Sequence, residues 1–445
     1  MAQNFLSCDR EQAWLLPASV SDWLPEGHLA RFVVAVVERL DLAAFYEVYR
    51  ADGSGRPAHD PAMMVALVLY NYAVGVRSSR VIERRCVEDV ACRFVAANRA
   101  PDHVTINRFR SRHQAALSGL FGDVLALCAQ AGMVRVGTVA VDSTKLAADA
   151  SLGANRTYEG LRAEAERIFA EAAEIDAAED EFYGERRGDE LPAELADPKT
   201  RPGQIKQLLD DLHAERNQAR ADHDDKRRAY DEHLQRTGRR PVGAPPKSGP
   251  TCKQQALFAR KVNVTDPDSV IVSDRGKSLQ GYNVQVTVAD GQVILAATAT
   301  SVANDHGQLV AMVDAARESL TAIGHEDEIE QVLADSGYWN VAAVTRLQDD
   351  RLDVLVQPRP YKRQSKYTSR GPAAQAMAER LTTPTGAASY RRRQQIVEPV
   401  FAHIKYLRAI TRLLRRGRQA VQAEIDLIAT THNLLKLYRN TPQAA

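Results

Sequence analysis

Two short apolar runs constrain this chain most. Val134–Asp142 (VRVGTVAVD) and Ile329–Asp335 (IEQVLAD) each close on an aspartate. Each is followed by a short polar or turn-forming stretch, Ser143-Thr144-Lys145 and Ser336-Gly337-Tyr338. Runs this short and this rich in β-branched residues read as buried strands. An acid at the end of a buried strand is held on rigid backbone at a sheet edge, where metals and substrates are commonly gripped. Taken alone, Asp142 also reads as a turn-forming or capping residue before a helix. Between them Gln280–Val288 and Gln292–Thr300 flank Asp290-Gly291, a hairpin signal. Helices are expected at Asp305–Leu320 and from the Asn340 cap to Gln348, with a short strand at Asp353–Val356. This order predicts an α/β (α+β) domain on a mixed sheet with flanking helices.

A third acid lies in a field of base. Ser389–Arg418 reads as one long helix, with Ile396, Val400, Phe401, Ile404, Leu407, Ile410 and Leu413 at helical spacing. From Tyr390 to Arg418 there are nine lysines and arginines, and the single acid is Glu398. The whole chain carries a formal net charge of +1, so positive charge is concentrated here. Such a helix suits a polyanionic partner; a solvated charged face is the plainer alternative. If Asp142, Asp335 and Glu398 meet over one sheet edge, they repel unless cations sit between them. Mg2+ prefers hard oxygen ligands and keeps several waters, which suits a sparse Asp/Asp/Glu set. Two such ions can activate a water or 3′-hydroxyl and stabilise a leaving oxygen in phosphodiester chemistry. The surrounding cations would hold a phosphate backbone.

The rest of the 445 residues divides by composition. Residues 1 to about 130 read as all-helical, with Ala62–Val74 apolar nearly all round and therefore central. Within that part, Thr105–His113 (TINRFRSRH) is expected to open a helix at Thr105. It carries Arg108, Arg110 and Arg112, and it reads equally as a recognition helix or as an ordinary surface helix. Residues 155–250 are charged and alanine-rich with thin apolar seams, the pattern of a protruding helical hairpin. They end in a Pro/Gly loop, and a basic loop, Arg359–Arg370, precedes the Glu398 helix. Five scattered cysteines argue against a zinc site or a disulfide framework and fit a reducing cytosol. No signal peptide and no membrane span are expected. His306, His432, Asp149, Asp274 and Asp305 read as structural, capping or surface residues.

These motifs together resemble the bacterial insertion-sequence transposases of the DDE class. The resemblance rests on TVAVDSTKLAADAS (Thr138–Ser151), LADSGYW (Leu333–Trp339), the Tyr390–Lys405 helix, Gly281-Tyr282-Asn283, and His432-Asn433-Leu434. It implies an RNase H-like catalytic domain at 131–154 and 251–445, a helical DNA-binding or dimerisation domain at 1–130, and 155–250 as an insertion. It implies that Asp142, Asp335 and Glu398 bind Mg2+, with Mn2+ able to substitute. Lys405, seven residues after Glu398, would contact DNA phosphate. Relatives carry a Tyr and an Arg seven and four residues before the Glu; here Tyr390 and Arg393 each sit one residue earlier. Arg391, Arg392, Arg408, Arg412, Arg108, Arg110 and Arg112 complete the expected DNA-binding set. The implied activity is cleavage at element ends and strand transfer into target DNA, by a homodimer on double-stranded DNA in the bacterial cytoplasm. A catalytically inactive DNA-binding repressor and a nuclease without strand transfer are the alternatives.

Overall fold

The computed structural model describes residues 19–49, 57–167, 201–237, 260–274, 276–358 and 371–441. The expected loops Gly238–Pro250 and Arg359–Arg370 lie outside these residues, as does most of the first arm of the expected hairpin, 168–200.

Among the described residues, the C-terminal part is built on a six-stranded mixed sheet. Strands β1 (Thr138–Ala147), β4 (Val270–Asp274), β5 (Lys277–Ala289), β6 (Ile294–Thr300), β7 (Gln331–Ala334) and β8 (Asp353–Val356) run in the order β4-β5-β1-β7-β8, with β6 also on β5. β1 is antiparallel to β5 and parallel to β7, and β7 is parallel to β8. Helices cross over between the parallel strands, as such connections require. This is the mixed sheet with flanking helices that the sequence predicts. The Leu309–Ala322 helix covers one face, where the Thr287 hydroxyl donates to the Met312 carbonyl (2.9 Å). The Pro384–Ala402 helix covers the other, where Arg392 and Arg393 reach Thr138 and Asp142.

β1 is shifted from its predicted span, ending at Ala147 rather than Asp142. Its second half pairs Ser143 to Ala147 with Gln285 to Gly281. The polar side chains there hide the strand from a reading based on β-branched runs. β4 and the Pro372–Thr382 helix are further elements the sequence reading did not assign.

The helix expected over Ser389–Arg418 is shorter. It ends at Ala402, passes into a π turn at His403–Leu407, and is extended beyond. Pro399 has no N–H for the Gln395 carbonyl, which accepts from Gln292 Nε2 instead (3.1 Å). Ala409 takes a positive φ of 53°. The chain then turns back onto β1, where Ala147 exchanges backbone bonds with Thr411 and Leu413 (3.1 and 2.7 Å).

The N-terminal helices pack directly on this domain, and one apolar core runs from Leu24 to Leu437. The Pro61–Ala73 helix is buried nearly all round, as predicted. The basic helix spans His103–Arg112 and is capped by Asp102, which accepts from Thr105 N (2.6 Å); Thr105 is not the cap. The C-terminal helix, Arg418–Asn440, lies along the exposed edge of β6. There Asn433 accepts from Ile294 N and donates to Ile294 O (both 2.9 Å). Gln422 accepts from Ala299 N and donates to Ala297 O (both 2.9 Å). Two side-chain amides thus stand in for a neighbouring strand and blunt an edge that would otherwise pair with another chain.

Within the insertion, residues 158–167 and Arg201–Thr237 are helical. Its two ends are tied by a small ladder, β2 (Asn155–Arg156) on β3 (Val262–Asn263), over a separate core of Leu161, Ile205, Leu208, Leu212, Val262 and Val264.

Candidate active site

Parallel pairing of β1 and β7 stops at Val141 opposite Ala334. The next residues on the two strands are Asp142 and Asp335. Asp142 is therefore mid-strand in β1, yet it stands where its neighbour strand ends. The two aspartates therefore leave adjacent strands at the same level, near enough for the Asp335 charge to act on Asp142.

Asp142 Oδ1 accepts from Ser143 N (2.7 Å), and Oδ2 takes an ion pair from Arg393 Nη1 (2.8 Å). Burial pushes its carboxyl up to about 6; Arg393 and the Ser143 N–H oppose that, while the charges of Asp335 and Asp305 reinforce it. Asp335 Oδ1 caps the short turn Ser336–Tyr338 by accepting from Gly337 N (2.8 Å). The buried Tyr338 hydroxyl at the end of that turn donates to Gln285 Oε1.

A third carboxylate stands here that the sequence reading set aside. Asp305 accepts from Asn283 Nδ2, Gln285 Nε2 (both 2.9 Å) and Lys145 Nζ (3.2 Å). Burial pushes its carboxyl up, but the Asn283, Ser143 and Gln285 hydrogen bonds and the Lys145 charge outweigh it and hold the group below the ordinary range. The signal was available in β5: Asn283, Gln285 and Thr287 alternate with Val284, Val286 and Val288, and the structure buries all three fully. Gly281, two residues earlier, is required because any Cβ there would overlap the Leu146 carbonyl. Tyr282 anchors the buried Asp266 (2.8 and 3.0 Å).

Glu398 is exposed, on the helix that carries Arg393 but five residues further along, about 7.5 Å of axis. Among the described residues, no three His, Cys, Asp or Glu side chains are gathered closely enough to hold a metal ion. Asp142 lies near enough to Asp335 and Asp305 to feel both charges, and Glu398 is at the surface.

The basic residues divide sharply. Arg408 is buried and donates to Ile428 O, Tyr72 O and Thr431 Oγ1, and burial lowers its guanidinium to about 9. Arg110 is buried and donates to Arg77 O (2.7 Å). Both were expected to meet DNA; Arg408 instead ties the N-terminal helices to the C-terminal helix, and the Arg110 side chain bonds within the N-terminal part. The sequence shows their charge but not that carbonyls consume it. Arg412 donates to Ala148 O (3.1 Å), and Arg112 donates to Val48 O and lies over the Tyr49 ring (4.9 Å). Arg392 pairs with Asp290 (2.9 Å), and Lys405 lies 3.7 Å from Asp274. Tyr390 donates to the Ala334 carbonyl (3.2 Å), fixing the end of β7. Arg391 and Arg108 are exposed.

Two family profiles match the chain. One, described as a transposase domain (DUF772), covers residues 18–112. The other, described as a transposase DDE domain, covers residues 222–434. The chain belongs to the DDE transposases. The matched segments contain Asp335 and Glu398; β1 and Asp142 fall between them. No curated protein and no solved structure matches the chain. Transposases of this family bind DNA, cleave and transfer its strands, and use divalent metal ions. No described helix of this transposase is long and apolar enough to cross a membrane.

Proposed function

We propose that this transposase cleaves phosphodiesters at the ends of its own insertion element and joins them to target DNA, with Asp142 and Asp335 as the core of a two-metal site and Glu398 as its third acid. The observation that carries the reading is the β1–β7 register, which leaves the two aspartates as the next pair beyond the last paired residues. Asp142 and Asp335 offer carboxylate oxygens only and are half-buried, the donor chemistry that a hard cation takes. When bound, Mg2+, or Mn2+ in its place, supplies Lewis-acid activation of the attacking hydroxyl and stabilisation of the leaving oxygen.

The chain's own groups do the rest. Arg393 balances Asp142 with one N–H, while its Nε is buried and has no hydrogen-bond partner among the described residues. Arg391 and Arg108 are exposed cations available to the backbone, and Lys405 is close enough to the Glu398 helix to serve the same strand. Two element ends must be held at once, so the working unit is a homodimer on double-stranded DNA, at the terminal inverted repeats and then the target. The nucleoid is where that substrate lies.

Glu398→Gln tests the third acid. Cleavage of a DNA bearing the element's terminal repeats is expected to disappear, while mobility-shift binding of the same DNA is retained. Cleavage at the parent rate would remove Glu398 from the site and leave the aspartates to act with another group.

A further inference from the structure

Asp305 does not belong to the expected triad, yet it is the best-anchored acid at this site. Its Oδ1 is held by three donors from two strands, Asn283, Gln285 and Lys145. Lys145 is itself fixed by Asn283 Oδ1 (2.6 Å) and Ser143 Oγ (2.9 Å). Its Oδ2 faces Gly337. A Cβ built on Gly337 would lie 3.0 Å from Asp305 Oδ2 and 2.8 Å from Asp335 Oδ1, so the bare glycine is the gap through which the two carboxylates approach. The turn carrying Asp335 is pinned at its other end through Tyr338 to Gln285, a member of the same network.

We infer that Asp305 is a positioning residue: braced by Lys145, Asn283 and Gln285, it fixes the Gly337 turn from behind and so sets the orientation in which Asp335 meets a divalent cation. The inference rests on the reading of Asp142 and Asp335 as metal ligands.

Two physical roles for Asp305 make opposite predictions at Lys145. If Asp305 only adds negative potential, removing the Lys145 charge favours a bound cation. If Asp305 acts as a brace, removing Lys145 frees it to move away from Asp335, and the cation is held less well. Partners behind metal ligands commonly change metal affinity by about 10–100-fold.

The test is Mn2+ binding to the full-length, DNA-free protein, followed by the electron paramagnetic resonance of free Mn2+. The variants are Asp142→Asn, Asp305→Asn, Lys145→Met and Gly337→Ala, with thermal melting to check folding. Asp305→Asn, Lys145→Met and Gly337→Ala are each expected to weaken Mn2+ binding by about tenfold or more. Parent-like affinity in folded Asp305→Asn, or tighter binding in Lys145→Met, would overturn the positioning role. If Asp305→Asn does not fold, Lys145→Met and Gly337→Ala decide in the same way. Parent-like affinity in Asp142→Asn would instead overturn the ligand reading beneath it.

Discussion

Asp142→Asn is expected to abolish metal-dependent cleavage at the element end while leaving DNA binding intact. Losing one carboxylate ligand removes several kcal/mol of transition-state stabilisation. A loss of about 4 kcal/mol lowers the rate about 10³-fold. The variant should not be less stable. Burial has raised the Asp142 carboxyl to about 6, so the folded chain binds that proton more tightly than the unfolded one. The sign follows from linkage: this contribution is fully present below the ordinary carboxylate range and is lost as pH rises through the window up to about 6. At neutral pH the ionised Asp142 therefore strains the metal-free protein, and an uncharged amide relieves it. A nicking assay beside a melting curve at pH 7 reads both effects. Residual cleavage near the parent rate, or a clearly lowered melting midpoint, would contradict the assignment.

Glu424→Ala is expected to give the largest loss of stability. Glu424 is fully buried on the C-terminal helix. One oxygen pairs with Arg77 Nη1 (2.5 Å), and the other accepts from Leu414 N (2.8 Å) and Arg415 N (3.1 Å). Arg77 also donates to the Arg412 carbonyl (2.6 Å). Truncation leaves a buried guanidinium without its counter-charge and two backbone donors without an acceptor. Breaking a buried pair from one side costs about 3–5 kcal/mol. Because Arg77 belongs to the N-terminal helices, the damage falls on the junction between them and the segment returning from the Glu398 helix. Urea denaturation reads it as a lowered midpoint. A change within about 0.5 kcal/mol, the range of a surface substitution, would show that the pair is dispensable.

The strands were legible where burial is two-sided, because a β-branched run has little alternative in water. Val139–Val141 and Val332–Ala334 are such runs, and Asp335 follows the second as predicted. The polar half of β1 was not legible: Ser143 and Lys145 make sense only beside Gln285 and Asn283, which are more than a hundred residues away. Asp305 was missed for the same reason, since its role depends on donors from two distant strands. The Glu398 helix shows the reverse error. Ile410 and Leu413 keep helical spacing and are buried, but in an extended segment packed on β1, where spacing carries no helical meaning. Charge misled as well. Counting cations located a basic region, yet Arg408 and Arg110 spend their donors on internal carbonyls.

The amide pair on the β6 edge works as a ruler. Gln422 and Asn433 are eleven residues apart, about 16.5 Å of helix and close to three whole turns. The backbone groups they read span residues 294 to 299, five steps of about 3.4 Å, or about 17 Å. Helical rise and strand rise are commensurate over this one interval, so both amides meet the strand on the same side. One residue gained or lost between them would rotate one amide by about 100° away from the sheet. The stretch from 423 to 432 is buried at every position but Asp426, and its length is fixed by the strand beside it.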